Sequence, residues 1–190
     1  MRKAGILVTL SLASAIAFSG CAFGNRNLKL VYDKEAVTAP YELSKKIEAS
    51  IGYFENLSGN EIGCVRNAYG WKTAKVLAKR DPGEWIKEAL ELELKRAGCT
   101  INPESRIKID GQVNKFYTDV YMKYDSQVNF LIRIKQDERI IYREAFTGNA
   151  TSGAFWADAK EYEKASNKAL EDALRNAVPK IITKLEEITQ

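Results

Sequence analysis

Apolar and polar residues alternate along several segments of the chain, as in β-strands that bury one face. The alternation is clearest over residues 126–135 and is also present over 45–54 and 106–121. Within 106–121 it changes phase near Phe116 and Tyr117, which predicts a β-bulge. The apolar face of the clearest strand comprises Val128, Phe130, Ile132 and Ile134. Its other face is partly polar, so we expect a sheet that is covered on one side only.

Short connections restrict how these strands pair. The turn at 136–139 leads directly into a further strand at 140–150. Connections this short cannot carry a parallel crossover, so we predict an antiparallel meander from 106 to 150. Residues 64–78 predict one or two additional strands, arranged as a hairpin with its turn near Asn67.

Two segments predict helices. Asp81-Pro82-Gly83-Glu84 combines a capping side chain, a proline at the first helical position and a glutamate at capping-box spacing. An apolar face follows, and Gly98 suits the position after the last turn, so the first helix should span about 82–97. A longer apolar stripe begins near Asp158 and continues almost to the C-terminus. Pro179 should kink or split this second helix.

The order of the elements is strands, helix, three strands, helix. It indicates an α+β fold: a mixed, mainly antiparallel sheet with two helices packed on one face. The length of 190 residues is sufficient for one such domain, which we place at 44–190.

The first 20 residues have the organisation of a secretory signal. A short basic start precedes an uncharged run over 4–18, which is shorter than the roughly 20 apolar residues that a membrane-spanning helix needs. Two cleavage sites compete. Cleavage after Ala15-Ile16-Ala17 would release a soluble protein, whereas Ser19-Gly20-Cys21 resembles the end of a bacterial lipobox. In the second case residues 1–20 are a lipoprotein signal peptide, and lipidated Cys21 begins the mature protein.

Lipidation of Cys21 would determine where the protein works, because two or more acyl chains give stable membrane attachment. Ala22 rather than Asp follows the cysteine. By resemblance to sorting in enteric bacteria, this indicates the outer membrane, with the domain facing the periplasm. Phe18 departs from the usual lipobox, which has leucine three residues before the cysteine. Residues 21–43 should form a lipidated tether, with an edge strand where Leu28, Leu30 and Tyr32 alternate.

The two remaining cysteines, Cys64 and Cys99, have two interpretations. The periplasm is oxidising, so they are candidates for a disulfide that would stabilise the fold by roughly 3–4 kcal/mol on the chain-entropy model. Alternatively, they are two separate buried thiols. The sequence alone does not place their Cα atoms within bonding reach.

Charge and composition exclude several functions. The 29 basic residues fall by two when Arg2 and Lys3 are removed, which against 25 acidic residues leaves a net charge of about +2 and does not favour nucleic acid. The chain has no histidine, which excludes a Ser-His-Asp triad, a Cys-His pair and histidine-bearing zinc sites. We therefore predict no enzyme, no catalytic or metal-binding residue and no cofactor. Paired carboxylates among Asp110, Asp119 and Asp125 are better explained as solvated groups.

Two aromatic segments are candidates for contact with a partner. Phe155 and Trp156 lie in the loop before the last helix, where they either form a contact patch or close over the core. The segment 116–121 places Tyr117, Asp119 and Tyr121 on one strand face. That face is either a binding ledge or ordinary cross-strand packing.

The chain resembles the YajG-type lipoproteins, small envelope proteins of Gram-negative bacteria. The resemblance rests on Ser19-Gly20-Cys21, on the helix from Trp85 to Gly98, on Phe116-Tyr117-Thr118-Asp119-Val120, and on 148–153 leading into the alanine-rich last helix. This family has no established enzymatic activity, so the resemblance implies location and fold but no catalytic residue.

The resemblance and the missing catalytic residues favour a non-catalytic envelope protein. We expect it to be held at the membrane by the lipid on Cys21 and to bind or scaffold other envelope components. The alternative is an auxiliary lipoprotein of a periplasmic transport or secretion assembly, in which the chain could also form a homo-oligomer.

Overall fold

The computed structural model describes residues 24–33, 42–153 and 158–190. It contains eight strands and two helices within these ranges. In chain order the elements are β1 (Arg26–Leu28), β2 (Glu48–Asn56), β3 (Glu61–Arg66), β4 (Lys72–Ala78), α1 (Pro82–Arg96), β5 (Thr100–Ile101), β6 (Ile107–Val120), β7 (Lys123–Gln136), β8 (Arg139–Gly153) and α2 (Ala159–Ile188).

Strand β6 organises the sheet. One of its edges pairs with β7 in antiparallel fashion from end to end, and β8 pairs with β7 in the same way. Its other edge is shared by two parallel strands, β2 along the first half and β3 along the second. Beyond these lie β5, next to β2, and β4 followed by β1, next to β3. The meander and the mixed α+β sheet are therefore confirmed.

The two faces of the sheet differ in polarity, as the alternation predicted. Residues 128, 130, 132 and 134 of β7 are all fully buried beneath the helices. In β6 the buried set changes from odd to even positions because the pairing shifts between Val113 and Lys115, which places an extra residue at Asn114. The predicted bulge is confirmed, two residues earlier than expected. The opposite face, called the open face below, carries mostly polar side chains.

Helix α1 has the predicted start and end. The Asp81 carboxylate accepts hydrogen bonds from the backbone N–H groups of Gly83 at 2.7 Å and Glu84 at 3.2 Å. Gly98 has a φ of +88°, which a glycine adopts without steric cost. On the buried side, the Trp85 ring lies 5.1 Å from that of Phe116, between centroids. This contact fixes the helix over β6.

Helix α2 runs without interruption through Pro179, so the split that the proline suggested does not occur. The proline removes one backbone donor. Buried residues before and after Pro179 pack both halves of α2 against the sheet. This packing offsets the lost hydrogen bond. These buried residues are Ala173, Leu174, Ala177, Val178, Ile181, Ile182 and Leu185.

The edge strand predicted near Leu28 is confirmed, and residues 24–33 pack against the rest of the domain. Strand β1 pairs with β4, and Leu28, Leu30 and Tyr32 are buried in the core. The Tyr32 hydroxyl donates at 3.1 Å to the buried Glu93 carboxylate, which also accepts from Arg96 at 2.6 Å. Burial raises the pKa of the Glu93 carboxyl despite the nearby guanidinium.

Among the residues that the structure describes, neither helix is both long and apolar enough to cross a bilayer.

Replacement of Gly148 by alanine should destabilise the fold, because a Cβ there would lie 2.0 Å from the Ala169 carbonyl oxygen and 2.3 Å from the Ala173 nitrogen. We expect the free energy of unfolding in urea to fall by about 2–3 kcal/mol. Gly153→Ala is the matched control, since no described atom lies within 4 Å of the added Cβ. Equal stability of both variants would show that α2 does not pack closely on β8.

Candidate functional site

Large apolar side chains are exposed together at one end of the sheet. Tyr69 is 82% exposed and Trp71 72% exposed on the β3–β4 hairpin, while Tyr121 is 41% and Met122 72% exposed on the β6–β7 hairpin. The two hairpins are neighbours because β3 pairs with the last residues of β6. We call these four residues the aromatic end.

Local hydrogen bonds fix the β3–β4 turn. The Asn67 side-chain oxygen accepts from the backbone N–H groups of Tyr69 and Trp71, both at 3.0 Å. The Asn67 carbonyl accepts from Gly70 at 2.9 Å, and Gly70 has a φ of +82° that favours glycine. The turn therefore holds both aromatic residues outward in a defined conformation.

Further contacts join the two hairpins. The Tyr121 hydroxyl donates to the Ala68 carbonyl at 3.3 Å. Arg66 donates from Nε to both Asp119 carboxylate oxygens at 2.9 Å and from Nη1 to the Gly70 carbonyl at 3.0 Å. The aromatic end is thus braced by an ion pair that links β3 to β6.

The N-terminal part of the chain enters the domain at this same end. Strand β1 runs parallel to β4, with Arg26 opposite Val76, and the Asn25 side chain accepts from the Lys75 N–H at 3.3 Å. Strand β4 begins at Lys72, directly after the turn. The first described residues, Gly24 and Asn25, therefore lie on the side of the exposed turn.

The open face near the aromatic end contains a shallow groove of about 370 Å³. Asp119 and Asp125 lie opposite each other there on β6 and β7. Each has its own cation: Arg66 lies 2.9 Å from Asp119, and Lys123 lies 3.0 Å from Asp125. These carboxylates are partly exposed, as expected for solvated groups, and each is held in an ion pair.

Two other polar residues, Asp110 and Ser166, are also engaged with neighbouring side chains. Asp110 pairs with Lys135 at 2.7 Å, far from Asp119 along β6. The buried Ser166 hydroxyl lies 3.3 Å from that of Thr118 on β6. In the part of the chain that the structure describes, no three Cys, Asp or Glu side chains are grouped to hold a metal ion.

The outer edge of β8 is a second exposed surface. No strand pairs with this edge among the described residues. Asn149 directs its backbone N–H outward, since that group donates to Asp172 of α2 at 3.0 Å. In an antiparallel pair the outward groups recur at every second residue, so Ala145 and Thr147 also direct theirs outward.

The sequence matches a protein family described as "uncharacterized lipoprotein" over residues 60–179. The chain belongs to this lipoprotein family. The match confirms the resemblance to YajG-type lipoproteins and implies association with the cell envelope. The family description names no activity or partner. No curated protein matches the sequence of this lipoprotein.

Solved structures with a similar fold come from bacteria. Protein XCC0632 from Xanthomonas campestris has a TM-score of 0.65 and 11% identity, with 86% of this chain and 99% of that protein covered. The hypothetical protein CT253 from Chlamydia trachomatis has a TM-score of 0.52 and 8% identity, with coverages of 74% and 98%. At these identities the similarity supports the fold alone.

The two internal cysteines of the lipoprotein are free and buried, so the structure does not contain the disulfide considered for Cys64 and Cys99. Cys64 lies opposite Asp119, whereas Cys99 immediately precedes β5, which pairs with the start of β2. The intervening length of β6 is on the order of 30 Å. A disulfide needs Cα atoms within about 7 Å, which this topology does not allow.

The remaining predicted site residues lie outside the described ranges. Cys21 precedes Gly24, the first described residue, and Phe155 and Trp156 fall between Gly153 and Asp158. The described residues on either side of this range are at the aromatic end: Gly153 pairs with Lys123, and the Asp158 N–H donates to the Tyr124 hydroxyl at 2.9 Å.

Sequence reasoning missed most of the aromatic end. The face carrying Tyr117, Asp119 and Tyr121 is confirmed, since 116, 118 and 120 are buried. The hairpin predicted over 64–78 is confirmed, but the exposure of Tyr69 and Trp71 was not predicted. Their exposure could have been predicted because Tyr69 and Trp71 flank Gly70 in a surface turn, which cannot bury large side chains.

Both internal thiols should be unreactive in the native protein and reactive after unfolding. Burial raises the pKa of the Cys64 and Cys99 thiols, so little thiolate forms. Mass spectrometry after maleimide treatment without reductant should find neither peptide labelled under native conditions and both labelled in denaturant. Labelling in denaturant that requires a reductant would show a disulfide.

Proposed function

We propose that this chain is a lipid-anchored protein of the Gram-negative cell envelope. Residues 1–20 are removed as a signal peptide, Cys21 carries the lipid, and the domain lies on the periplasmic side of the outer membrane. The observation that carries the proposal is the lipoprotein family match over residues 60–179. It supports the lipobox interpretation of Ser19-Gly20-Cys21 over cleavage after Ala17.

Several acyl chains on one residue suffice as the anchor. Each buried CH₂ group contributes roughly 0.8 kcal/mol, and two or more chains give stable attachment where one gives only reversible binding. The anchor therefore needs no apolar helix elsewhere in the chain.

We further propose that the protein binds or scaffolds envelope components and does not catalyse a reaction. The described carboxylates near the open-face groove are held in ion pairs, and the chain has no histidine. The domain instead offers a braced hydrophobic end and a polar sheet face. Such surfaces are typical of binding sites, because exposed hydrophobic patches on soluble domains usually mark places where a partner or a membrane binds.

Cys21→Ser should prevent lipid attachment and leave the signal peptide uncleaved, because the cysteine thiol is the acceptor of the lipid. In cells grown with labelled palmitate, the wild-type protein should carry label, and the Cys21→Ser variant should accumulate as an unlabelled precursor. Cys99→Ser makes the same replacement at an internal cysteine and should keep the label. An unchanged soluble mature protein from Cys21→Ser would show cleavage after Ala17.

A second candidate is an auxiliary lipoprotein of a periplasmic transport or secretion assembly. The observation that favours it is the outer edge of β8, a strand of 15 residues whose outward backbone groups face no other described strand. Such an edge can accept a strand from a partner or from a second copy.

Ala145→Pro tests this edge. Proline removes the outward N–H of Ala145 and leaves the inward pairing with β7 in place, so assembly through the edge should fail while the domain stays folded. Cross-linking in cells, read by mass spectrometry through a C-terminal tag, should lose the partner or dimer band. Ala145→Ser keeps the N–H and should behave as wild type. An unchanged cross-link pattern would show that the partner does not bind at the outer edge of β8.

A further inference from the structure

We propose that the aromatic end of the domain lies in the headgroup layer of the membrane to which the protein is anchored. The long strands β6, β7 and β8 then project away from the bilayer surface. This inference rests on the proposed acylation of Cys21, and it adds which surface of the domain faces the lipid.

The first argument is the short distance between the anchor and the aromatic end. Cys21 precedes Gly24 by three residues, which span at most about 11 Å of extended chain. Asn25 lies beside Lys75, and Trp71 precedes Lys75 by four residues, or roughly 13 Å along the strand direction. A lipid on Cys21 therefore holds the end that carries Trp71, not the far end, close to the bilayer.

The second argument is the chemistry of the exposed side chains. Trp71, Tyr69 and Tyr121 combine an apolar ring with a polar group, and such residues concentrate at membrane–water interfaces. Met122 adds an apolar chain next to them. In contrast, Trp85 is completely buried in the core. The exposed set thus has the composition of an interfacial contact.

The third argument is charge. Lys72 follows Trp71 directly, Lys123 follows Met122 directly, and both lysines are exposed. Basic side chains beside interfacial aromatic residues are attracted to anionic lipid headgroups. Both lysines also make contacts on the open face: Lys123 pairs with Asp125 at 3.0 Å, and the Lys72 ammonium lies 5.9 Å from the centre of the Tyr117 ring. The aromatic end therefore has exposed basic side chains beside its apolar ones.

The size and rigidity of the surface favour lipid over protein. A standard protein interface takes roughly 20–30 residues on each side, far more than two hairpin turns present. Insertion into a headgroup layer needs only a few side chains. Because Asn67 and Arg66 already fix the turn, little conformational freedom is lost on contact.

Tryptophan quenching by brominated lipids tests the proposal on the full-length lipidated protein. The chain has three tryptophans, so a Trp156→Phe background leaves Trp71 exposed and Trp85 buried. The protein is reconstituted into vesicles of phosphatidylethanolamine and phosphatidylglycerol with brominated acyl chains. We expect Trp71 emission to fall roughly two-fold relative to unbrominated vesicles, because interfacial side chains enter about 5–10 Å into the lipid. Trp71→Phe in the same background should remove the quenched component.

The matched control moves the exposed tryptophan along the sheet. Tyr53 is 68% exposed, and its neighbour Phe54 pairs with Gly111, about 30 Å along β6 from the aromatic end. Tyr53→Trp combined with Trp71→Phe and Trp156→Phe should show no quenching. Quenching at position 53 as strong as at position 71 would mean that the sheet lies flat on the membrane and would overturn the proposal.

Flotation of the same vesicles separates the two proposals. If the protein floats with the vesicles but Trp71 is not quenched, the anchor stands and the aromatic end is not at the lipid. Shielding of Trp71 in envelope preparations but not in vesicles would assign the surface to a protein or a second copy, which also overturns the proposal. If the protein does not float with the vesicles, the proposed acylation of Cys21 is wrong, and the proposed orientation of the domain is wrong as well.

Discussion

The structure depends on the way in which one edge of β6 is shared by two strands. Strands β2 and β3 follow each other along that edge, and the connection between them continues the contact. Leu57 donates its N–H to Val113, and the Ser58 hydroxyl bridges the N–H and carbonyl of Phe116 at 2.9 and 3.1 Å. The Ser58 side chain thus bridges the gap between the pairing of β2, which ends at Val113, and that of β3, which begins at Thr118.

This shared edge has consequences for function. It brings the β3–β4 turn next to the β6–β7 turn and carries β4, and with it β1, to the same end of the sheet. The exposed aromatic side chains and the first described residues therefore lie together because of topology, although they are distant in sequence. A lipid attached shortly before β1 would restrain the domain at that end, which gives an anchored domain a defined orientation.

Local patterns predicted the elements well, and tertiary constraints explain what they missed. The caps at Asp81 and Gly98 and the alternation in β7 are properties of neighbouring residues, so the helix and the meander could be identified. The parallel pairing of β2 and β3 with β6 joins residues more than 50 positions apart and leaves no local signal. The same holds for the burial of Tyr32 against Glu93, which made a folded segment resemble a tether.

The candidate site was harder to predict than the fold. Whether Trp71 is exposed depends on which parts of the fold pack around the β3–β4 turn. The residues of the turn itself predict only its backbone conformation. Of the two interpretations of Cys64 and Cys99, the structure shows separate buried thiols. The sequence could not decide between them, because it does not give the distance between the two residues along the sheet.

The most direct test of the central claim is the height of the domain above a membrane. Neutron reflectometry of the lipidated protein on a supported bilayer measures the thickness of the protein layer. Strands of 14 residues standing away from the surface predict a layer of about 45 Å. A layer of about 20 Å, the depth of one sheet and one helix, would show that the domain lies flat and would contradict the account.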